Sequence, residues 1–519
     1  MRKPDDLDVL RELVGSRPGA EAAYQDALQR DGLLASMASS RQESGLNQHA
    51  VADAMGTSQS AISDLETGRA EPRLSTLQRY ARAVSRRLDV RLVDDAGPDV
   101  RREAEERGLG LILSSMLPFD RLTVDDLANK LQLPERLITH AISVLTRHHW
   151  ITALTDGPAA FRLNDQRALV IGVSIRHDHV VGVLTNLRTS QVIDFRRIAH
   201  ATTAPEGAVA VVAEIVSQLR SAAVPGQEIL GVGVEMAGVV DRETGVVRFA
   251  ADFRDRLHNP WVDFDLEDAI ETTTGFTTVV ENDVNALATR EHLISGDPGG
   301  VVVLLMGESG RGIGAALIAN GTVVHGHDSV AGEIGHLIVD PSGPACRSGR
   351  HRGCLESVAS TAAILDSISH PEQRLAASRR GSGFDLKHAA ALAQSGDTST
   401  LTALVRAGNA IGDVLSPMIA LTDPARIVIY GPRELVDIPT HDSARSFMGA
   451  ISERLNRSGS DKHDVVGRDL NDFILPRAAA VVAVSHFTAR PKNWLPIGPV
   501  VGDDLLAPMR SVADPVSAY

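Results

Sequence analysis

Apolar residues recur along this chain in two rhythms, and the change between them divides it. Up to about residue 165 the spacing is helical. Val51, Met55, Ile62 and Leu65 are spaced to pack two short runs together, which predicts helices over Leu46–Gly56 and Thr57–Gly68. A further helix is expected after Pro72, with Leu74, Leu77, Ala81, Val84 and Leu88 as its buried stripe. Residues 93–107 are charged, contain Gly97-Pro98 and read as a linker. The helical rhythm resumes at Leu109, Ile112, Leu113 and Met116. Thr123 is placed to cap a helix over Val124–Leu131, and Pro134 to open another whose apolar face is Leu137, Ile138, Ala141, Ile142 and Leu145. Trp150–Leu154 and Phe161–Leu163 flank a turn at Asp156-Gly157-Pro158 and read as a hairpin. From Arg167 strands and helices alternate. Ala168–Ile175, His179–Leu187 and Gln191–Ile198 are strand-like, Ala208–Val224 is helical, and Ile229–Val240 reads as one more buried strand. Val280–Asp283 ends a strand, with a helix over Val284–Ile294 behind it.

A chain of 519 residues needs two to four cores. With aromatics at 3%, those cores must be built mainly from Ala, Val, Leu and Ile. No apolar run reaches membrane-span length, and the acidic start lacks the apolar stretch of a secretion signal. Two cysteines make no disulfide framework, so the expected compartment is the reducing cytoplasm. The net charge of −14 argues against indiscriminate nucleic-acid binding by the whole chain. Residues 41–92, however, carry eight arginines against six acids, a net of +2.

That segment resembles the helix-turn-helix of phage-repressor type. The second of its two predicted helices turns Ser58, Gln59, Ser60 and Ser63 outward, small polar groups that can reach base edges and phosphates. Gln59 is suited to pair bidentately with adenine, and Gln48 lies where such domains touch phosphate. For Arg79, Arg82 and Arg86 a solvated charged face is an equal reading. Residues 8–92 also resemble helix-turn-helix antitoxins, which leaves a toxin partner as a minor alternative. Residues 108–165, three helices and a hairpin, resemble a winged helix. In that fold Arg136, Thr139, His140 and Ser143 face the groove. The competing reading is a spacer or dimerisation domain, favoured by Asp120, Asp125 and Asp126.

Two polar knots carry the remaining chemistry. One is Glu281-Asn282-Asp283-Val284-Asn285. The other is Ala331-Gly332-Glu333-Ile334-Gly335-His336, followed by Cys346, Cys354 and Glu356. Together they resemble the sugar pocket of the ROK family (repressors, open reading frames and kinases), a likeness covering roughly residues 167–488. It implies a two-lobed, actin-like (ribonuclease H-like) α/β sugar kinase fold behind all-α helix-turn-helix and winged-helix modules. It also implies sugar contacts from Asn282, Asp283, Glu333, His336 and Glu356, Asp283 matching the kinase base. A buried sugar needs nearly every hydroxyl satisfied, which carboxylates and imidazole can do.

The nucleotide side departs from the family. Where kinases place an aspartate and a Gly-Gly-Thr turn, this chain has Ser174, Arg176, His177 and Asp178. Bulky side chains keep backbone from a phosphate, and Asp178 repels it. Arg311 stands in the second phosphate loop for threonine, and Ile429-Tyr430-Gly431-Pro432 replaces a glycine run. ATP binding is therefore not expected, and Asp283 is a vestigial base rather than a catalytic one. The resemblance also implies zinc. His336, Cys346 and Cys354 match three family ligands, Ser348 replaces the fourth, and His351 is placed to complete the set. The alternative is a loop held by packing alone.

The expected order is an N-terminal helical extension (1–40), the first helix-turn-helix (41–92), a linker (93–107) and the winged helix (108–165). Lobe one (166–290), lobe two (291–490, its last helix returning to lobe one) and a flexible tail (491–519) follow. The function implied is a sugar-responsive transcription regulator, a repressor, acting as a homodimer or homotetramer on double-stranded operator DNA. Its effector would be a sugar or sugar phosphate. A sugar kinase with an appended DNA-binding head is the runner-up.

Overall fold

The computed structural model describes residues 33–42, 44–67, 72–86, 88, 108–155, 159–199, 204–224, 227–255, 257–295, 299–307, 312–347, 349, 351–368, 384–437, 446–457 and 463–489. Several expectations fall outside them: the extension up to residue 32, the linker 93–107, the turn Asp156–Pro158, Gly310 and Arg311, Ser348, and the tail after residue 490. The side chain of Arg136 is likewise outside. The chain divides into two compact units. One takes residues up to Ile112 with Thr123–His148; the other takes Leu113–Leu122 with His149–Ala489.

In the first unit, α1 (33–42), α2 (Gln48–Met55), α3 (Gln59–Glu66) and α4 (Leu74–Ala83) enclose a core of Leu34, Met37, Val51, Met55, Ile62, Leu65, Tyr80 and Val84. Asn47 caps α2 by accepting from the Ala50 amide, and Gly56 ends it in the left-handed region, where glycine meets no Cβ penalty. The helix expected from Thr57 begins at Gln59, because Ser58 is used as its cap. Leu74 corrects the predicted stripe of α4. It is 49% exposed, while Tyr80 is fully buried, since the contact starts one turn into the helix at Leu77. After α5 (108–116) come two further helices, α6 (Val124–Leu131) and α7 (Glu135–Arg147). Thr123 and Asp126 close a capping box on α6. Pro134 stands just before α7 as its cap rather than within its first turn.

In the second unit, β1 (Ile151–Leu154) and β2 (Ala160–Leu163) form the expected hairpin, with Leu122 bridging to Phe161. A five-stranded sheet follows, built from β3 (Ala168–Ile175), β4 (His179–Asn186), β5 (Val192–Ala199), β6 (Glu228–Met236) and β10 (Thr278–Asn282). Its order is β10-β6-β3-β4-β5, with β3, β6 and β10 parallel and β4 antiparallel to both its neighbours. The helix α8 (Pro205–Ala222) covers β3–β5. The run read as one strand over Ile229–Val240 breaks after Met236. Gly238 takes φ 143°, and β7 (Val239–Val240) starts a separate sheet with β8 (Val246–Arg254) and β9 (Pro260–Asp265). Next come α9 (Leu266–Thr274) and α10 (Asp283–Ser295).

A second five-stranded sheet has the order β13-β12-β11-β14-β15. Its strands are β11 (Val301–Met306), β12 (Ile313–Ala319), β13 (Thr322–Val323), β14 (Arg426–Gly431) and β15 (Asp464–Asp469). Its helices include α11 (Leu355–Ala359), α12 (Thr361–Ser367), α13 (Leu386–Gln394), α14 (Thr398–Thr422), α15 (Arg433–Val436) and α16 (Phe447–Arg457). The last, α17 (Ile474–Ala489), packs on the first sheet. Glycines permit this. A Cβ on Gly172 would lie 1.9 Å from the Pro476 carbonyl oxygen, and one on Gly233 1.9 Å from that of Ala479. No helix among the described residues is long and apolar enough to cross a membrane.

Candidate functional site

Strand ends and loops of the second unit converge on a cavity of about 860 Å³, within the usual range for small-molecule sites. All five residues expected to hold a sugar line it: Asn282, Asp283, Glu333, His336 and Glu356. Asn282 closes β10, and its Oδ1 accepts from the Val284 and Asn285 amides while its Nδ2 donates to Gly238 O. Its side chain is thus largely spent on setting the start of α10, which delivers Asp283 to the cavity. Across the cavity, Gly332 at φ 89° lies against β12, where a Cβ would meet Ala315 O at 1.8 Å. That close approach delivers Glu333. Glu333 reaches cleft solvent but is ringed by protein. Burial raises its carboxyl above the ordinary value, the charges of Asp283 and Glu356 add to the rise, and His336 opposes it. Glu356, in the first turn of α11, accepts from the Ile313 amide and lies 3.8 Å from His336 Nδ1.

Arg176, expected only to obstruct a phosphate, does more. It is buried at 8% exposure and enters the cavity from the end of β3. Its guanidinium lies 3.4 Å from Glu235 and 3.9 Å from Asp283. Arg176 thus sets a fixed cation beside Asp283, giving that carboxylate an ion-pair partner at the cavity wall. Nearby Asp178 stays charged. Burial would raise it, but the hydrogen bond from His179 and the charges of His179 and His177 hold it below the carboxylate range. Tyr430 is turned into α10, where its hydroxyl donates to Glu291 and accepts from Arg290. Burial pushes its phenol well above normal.

The contacts from His325 and Asp252 had no signal in the sequence, because each joins distant positions. Glu281 accepts from His325 Nε2 at 2.9 Å and from Asn285 Nδ2 at 3.1 Å, linking the first polar knot to the loop before the second. Arg347 pairs with Asp252 of β8 at the cavity wall.

His336, Cys346, His351 and Cys354 bring one donor atom each within 4.8 Å of one another. Zinc bonds of about 2.3 Å to sulfur and about 2.0 Å to nitrogen would set tetrahedral donors about 3.5 Å apart. Cys346 Sγ lies 3.8 Å from His336 Nδ1. Both cysteines are buried and outside any disulfide, and the buried His351 Nε2 has no hydrogen-bond partner. This donor set fits a four-coordinate metal.

In the first unit, Gln59 Nε2 donates to Gln48 Oε1 at 2.6 Å, and Gln48 Nε2 donates to Glu66 at 2.9 Å. Glu66 also takes a two-pronged contact from Arg41, at 2.7 and 3.0 Å, and the Tyr80 hydroxyl. Ser58, Gln59 and Ser60 are exposed and Ser63 is half-buried. On α7, Thr139 and Ser143 are exposed and His140 is half-buried. Two of the acids that favoured a spacer have local partners: Asp126 in the capping box and Asp120 with Arg188.

Comparison with known proteins places these units. The ROK family pattern matches residues 170–466, and a helix-turn-helix pattern matches residues 37–90. The xylose repressor of Bacillus subtilis is 22% identical over 386 residues, 73% of this chain and 94% of that protein. The glucokinase of Thermotoga maritima is 33% identical over 216 residues, which is 40% of this chain and 65% of the glucokinase. Among solved structures, a ROK family transcriptional regulator described as a homologue of Escherichia coli MLC aligns with a TM-score of 0.59 at 20% identity. The alignment covers 75% of this chain and 97% of that one.

Proposed function

We propose, for a chain that belongs to the ROK family and carries an N-terminal helix-turn-helix, the function of a sugar-responsive, sequence-specific transcription regulator acting as a repressor. The observation that carries this reading is Arg176. It puts a guanidinium where a phosphate turn needs bare backbone, and it binds the carboxylate that a kinase would use as base. Sugar hydroxyls would be held by Asn282, Asp283, Glu333, His336 and Glu356, and operator DNA read by Gln48, Ser58, Gln59, Ser60 and Ser63. Arg136, Thr139, His140 and Ser143 of the winged helix would add a second reading surface, with both modules duplicated in a homodimer. The likeness to the B. subtilis xylose repressor, which runs through most of both chains, supports the regulator branch.

Zinc would be held by His336, Cys346, His351 and Cys354, supplying a structural cross-link with all four positions filled by protein. It would fix the loop that carries His336 toward Glu356.

The second reading is a sugar kinase with an appended head, favoured by Asp283 at the cavity and by the T. maritima glucokinase match. One pair of assays separates the two. Mobility shifts with DNA selected from genomic fragments, run with and without a sugar panel, should reveal sugar-dependent affinity. A coupled assay with ATP and magnesium should give no turnover. Robust turnover abolished by Asp283→Asn would overturn the regulator reading.

A further inference from the structure

The turn between β4 and β5 is tied in three directions. Its own geometry is fixed first: Thr189 sits at φ 54°, its amide donates to Asn186 O at 2.9 Å, and Asn186 Oδ1 accepts from the Gln191 amide at 3.2 Å. Toward the segment that precedes α6, Arg188 donates to the Asp120 carboxylate and to Phe119 O. Toward the segment that follows β2, the Leu187 amide donates to Asp165 O at 3.0 Å, and Asn186 Nδ2 to Asp165 Oδ2 at 3.0 Å. One turn therefore grips the chain both before α6 and α7 and after the hairpin.

The third tie comes from α17. Arg477 of α17 places Nε and a terminal nitrogen on Thr189 O, at 2.9 and 2.7 Å. Near Arg477 stands Arg290, whose charge, after burial, lowers the Arg477 guanidinium from its ordinary value. Arg290 bonds Tyr430 at 3.0 Å and Glu291 at 3.3 Å, and both Arg290 and Glu291 lie on α10, the helix that begins with Asp283. The strand β4 makes a parallel route. It starts three residues beyond Arg176 and ends at the turn, a rod of about 26 Å at about 3.3 Å per residue. A cavity motion borne by α10 or by β4 thus arrives at Leu187–Ser190.

We propose that this turn is the coupling node of the regulator, with Arg188 and Arg477 as positioning residues that carry a change in the cavity to the segments flanking the winged helix. The inference rests on the sensing function proposed above. Arg188 is not among the residues lining the cavity, and its bonds go to Asp120 and Phe119, so its loss should leave both ligands bound and sever the link between them.

The test uses the full chain, a genomic DNA fragment selected by the wild-type protein, and D-xylose and D-glucose as the sugar probes. DNA affinity is measured with and without sugar, sugar affinity by calorimetry, and amide exchange over 113–122 and 160–165. Couplings of this kind run to about 5–150-fold; in Arg188→Ala and Arg477→Ala the sugar-induced change should fall below about twofold, with the two separate affinities held within about threefold. Exchange in the two segments should quicken together. A variant that responds to sugar like the wild type overturns the proposal, and so does a parallel loss of both affinities, which would mark a merely structural contact. If the wild type responds to neither sugar, the sensing reading is what fails for these probes. The exchange data still decide on the node, because unchanged protection of 113–122 and 160–165 in Arg188→Ala rejects it. Arg188→Lys keeps the charge without the two-pronged grip and serves if the alanine variant does not fold.

Discussion

Replacing Glu66 by glutamine should nearly unfold the first helix-turn-helix. The carboxylate is 6% exposed and holds the 12%-exposed Arg41 guanidinium at 2.7 and 3.0 Å. At an effective dielectric of about 20, charges about 3 Å apart attract by about 5 kcal/mol, before desolvation is subtracted. Breaking a buried pair from one side costs about 3–5 kcal/mol, because the surviving charge is left buried. Glutamine still fills the space and retains one acceptor, so about 3 kcal/mol is expected. A head of about 55 residues, at about 0.05–0.15 kcal/mol per residue, has only about 3–8 kcal/mol to lose. The pH dependence gives a second handle. Burial alone would raise the Glu66 carboxyl, but hydrogen bonds from Arg41, Tyr80 and Gln48 outweigh it and hold the group below its ordinary 4.5. A lowered carboxylate stabilises fully above the unfolded value and loses that contribution as pH falls through the folded one. The gap between wild type and Glu66→Gln should therefore be widest near neutrality and close below about pH 4.5. Amide exchange at Val51 and Ile62, followed from neutral to acid pH, measures it. A gap under about 1 kcal/mol at neutral pH, the value of a surface pair, or one that widens on acidification, would refute the reasoning.

Three further outcomes are expected. Stripping metal with a strong chelator, or Cys354→Ser, should release about one zinc per chain and lower the thermal midpoint, whereas a purified chain without zinc by elemental analysis would remove the site. Arg176→Ala takes the cation away from Glu235 and Asp283 and should destabilise the second unit by about 3 kcal/mol in urea. A loss under about 1 kcal/mol, the value of a surface pair, would count against the pairing. Glu333→Gln removes a carboxylate whose ionised form is disfavoured where it sits, so the thermal midpoint should not fall, while sugar affinity by calorimetry drops at least about tenfold. A lowered midpoint would assign Glu333 to the scaffold instead.

Much of this architecture was legible because it rests on local rules. Asn47, Gly56 and Thr123 mark helix ends by their own chemistry, and β3 and β4 are largely apolar runs rich in Val, Leu and Ile. Expectation failed where tertiary contact decides. Leu74 has the right residue type but lies ahead of the contact, and Gly238 breaks an apolar run by a φ that no neighbour dictates. The sheet of β7, β8 and β9 alternates too irregularly to announce itself. At the cavity, the motif residues could be named from their order in the chain. The partnership of Arg176 with Asp283 could not, since it depends on β3 and β10 lying one strand apart in the sheet, on either side of β6.

The bare backbone at Gly172 and Gly233 sets an order of assembly. The helix that lies on them leaves the ribosome after every other element named here, roughly 15–60 s behind β3 at about 5–20 residues per second. Until it arrives, one face of the first sheet stays uncovered, whereas the amino-terminal helices have long since found their core. A nascent or prematurely terminated chain therefore carries a folded helix-turn-helix head ahead of an unfinished second unit, exposed to proteolysis. Full-length synthesis becomes a precondition for completing the cavity-bearing unit rather than the head.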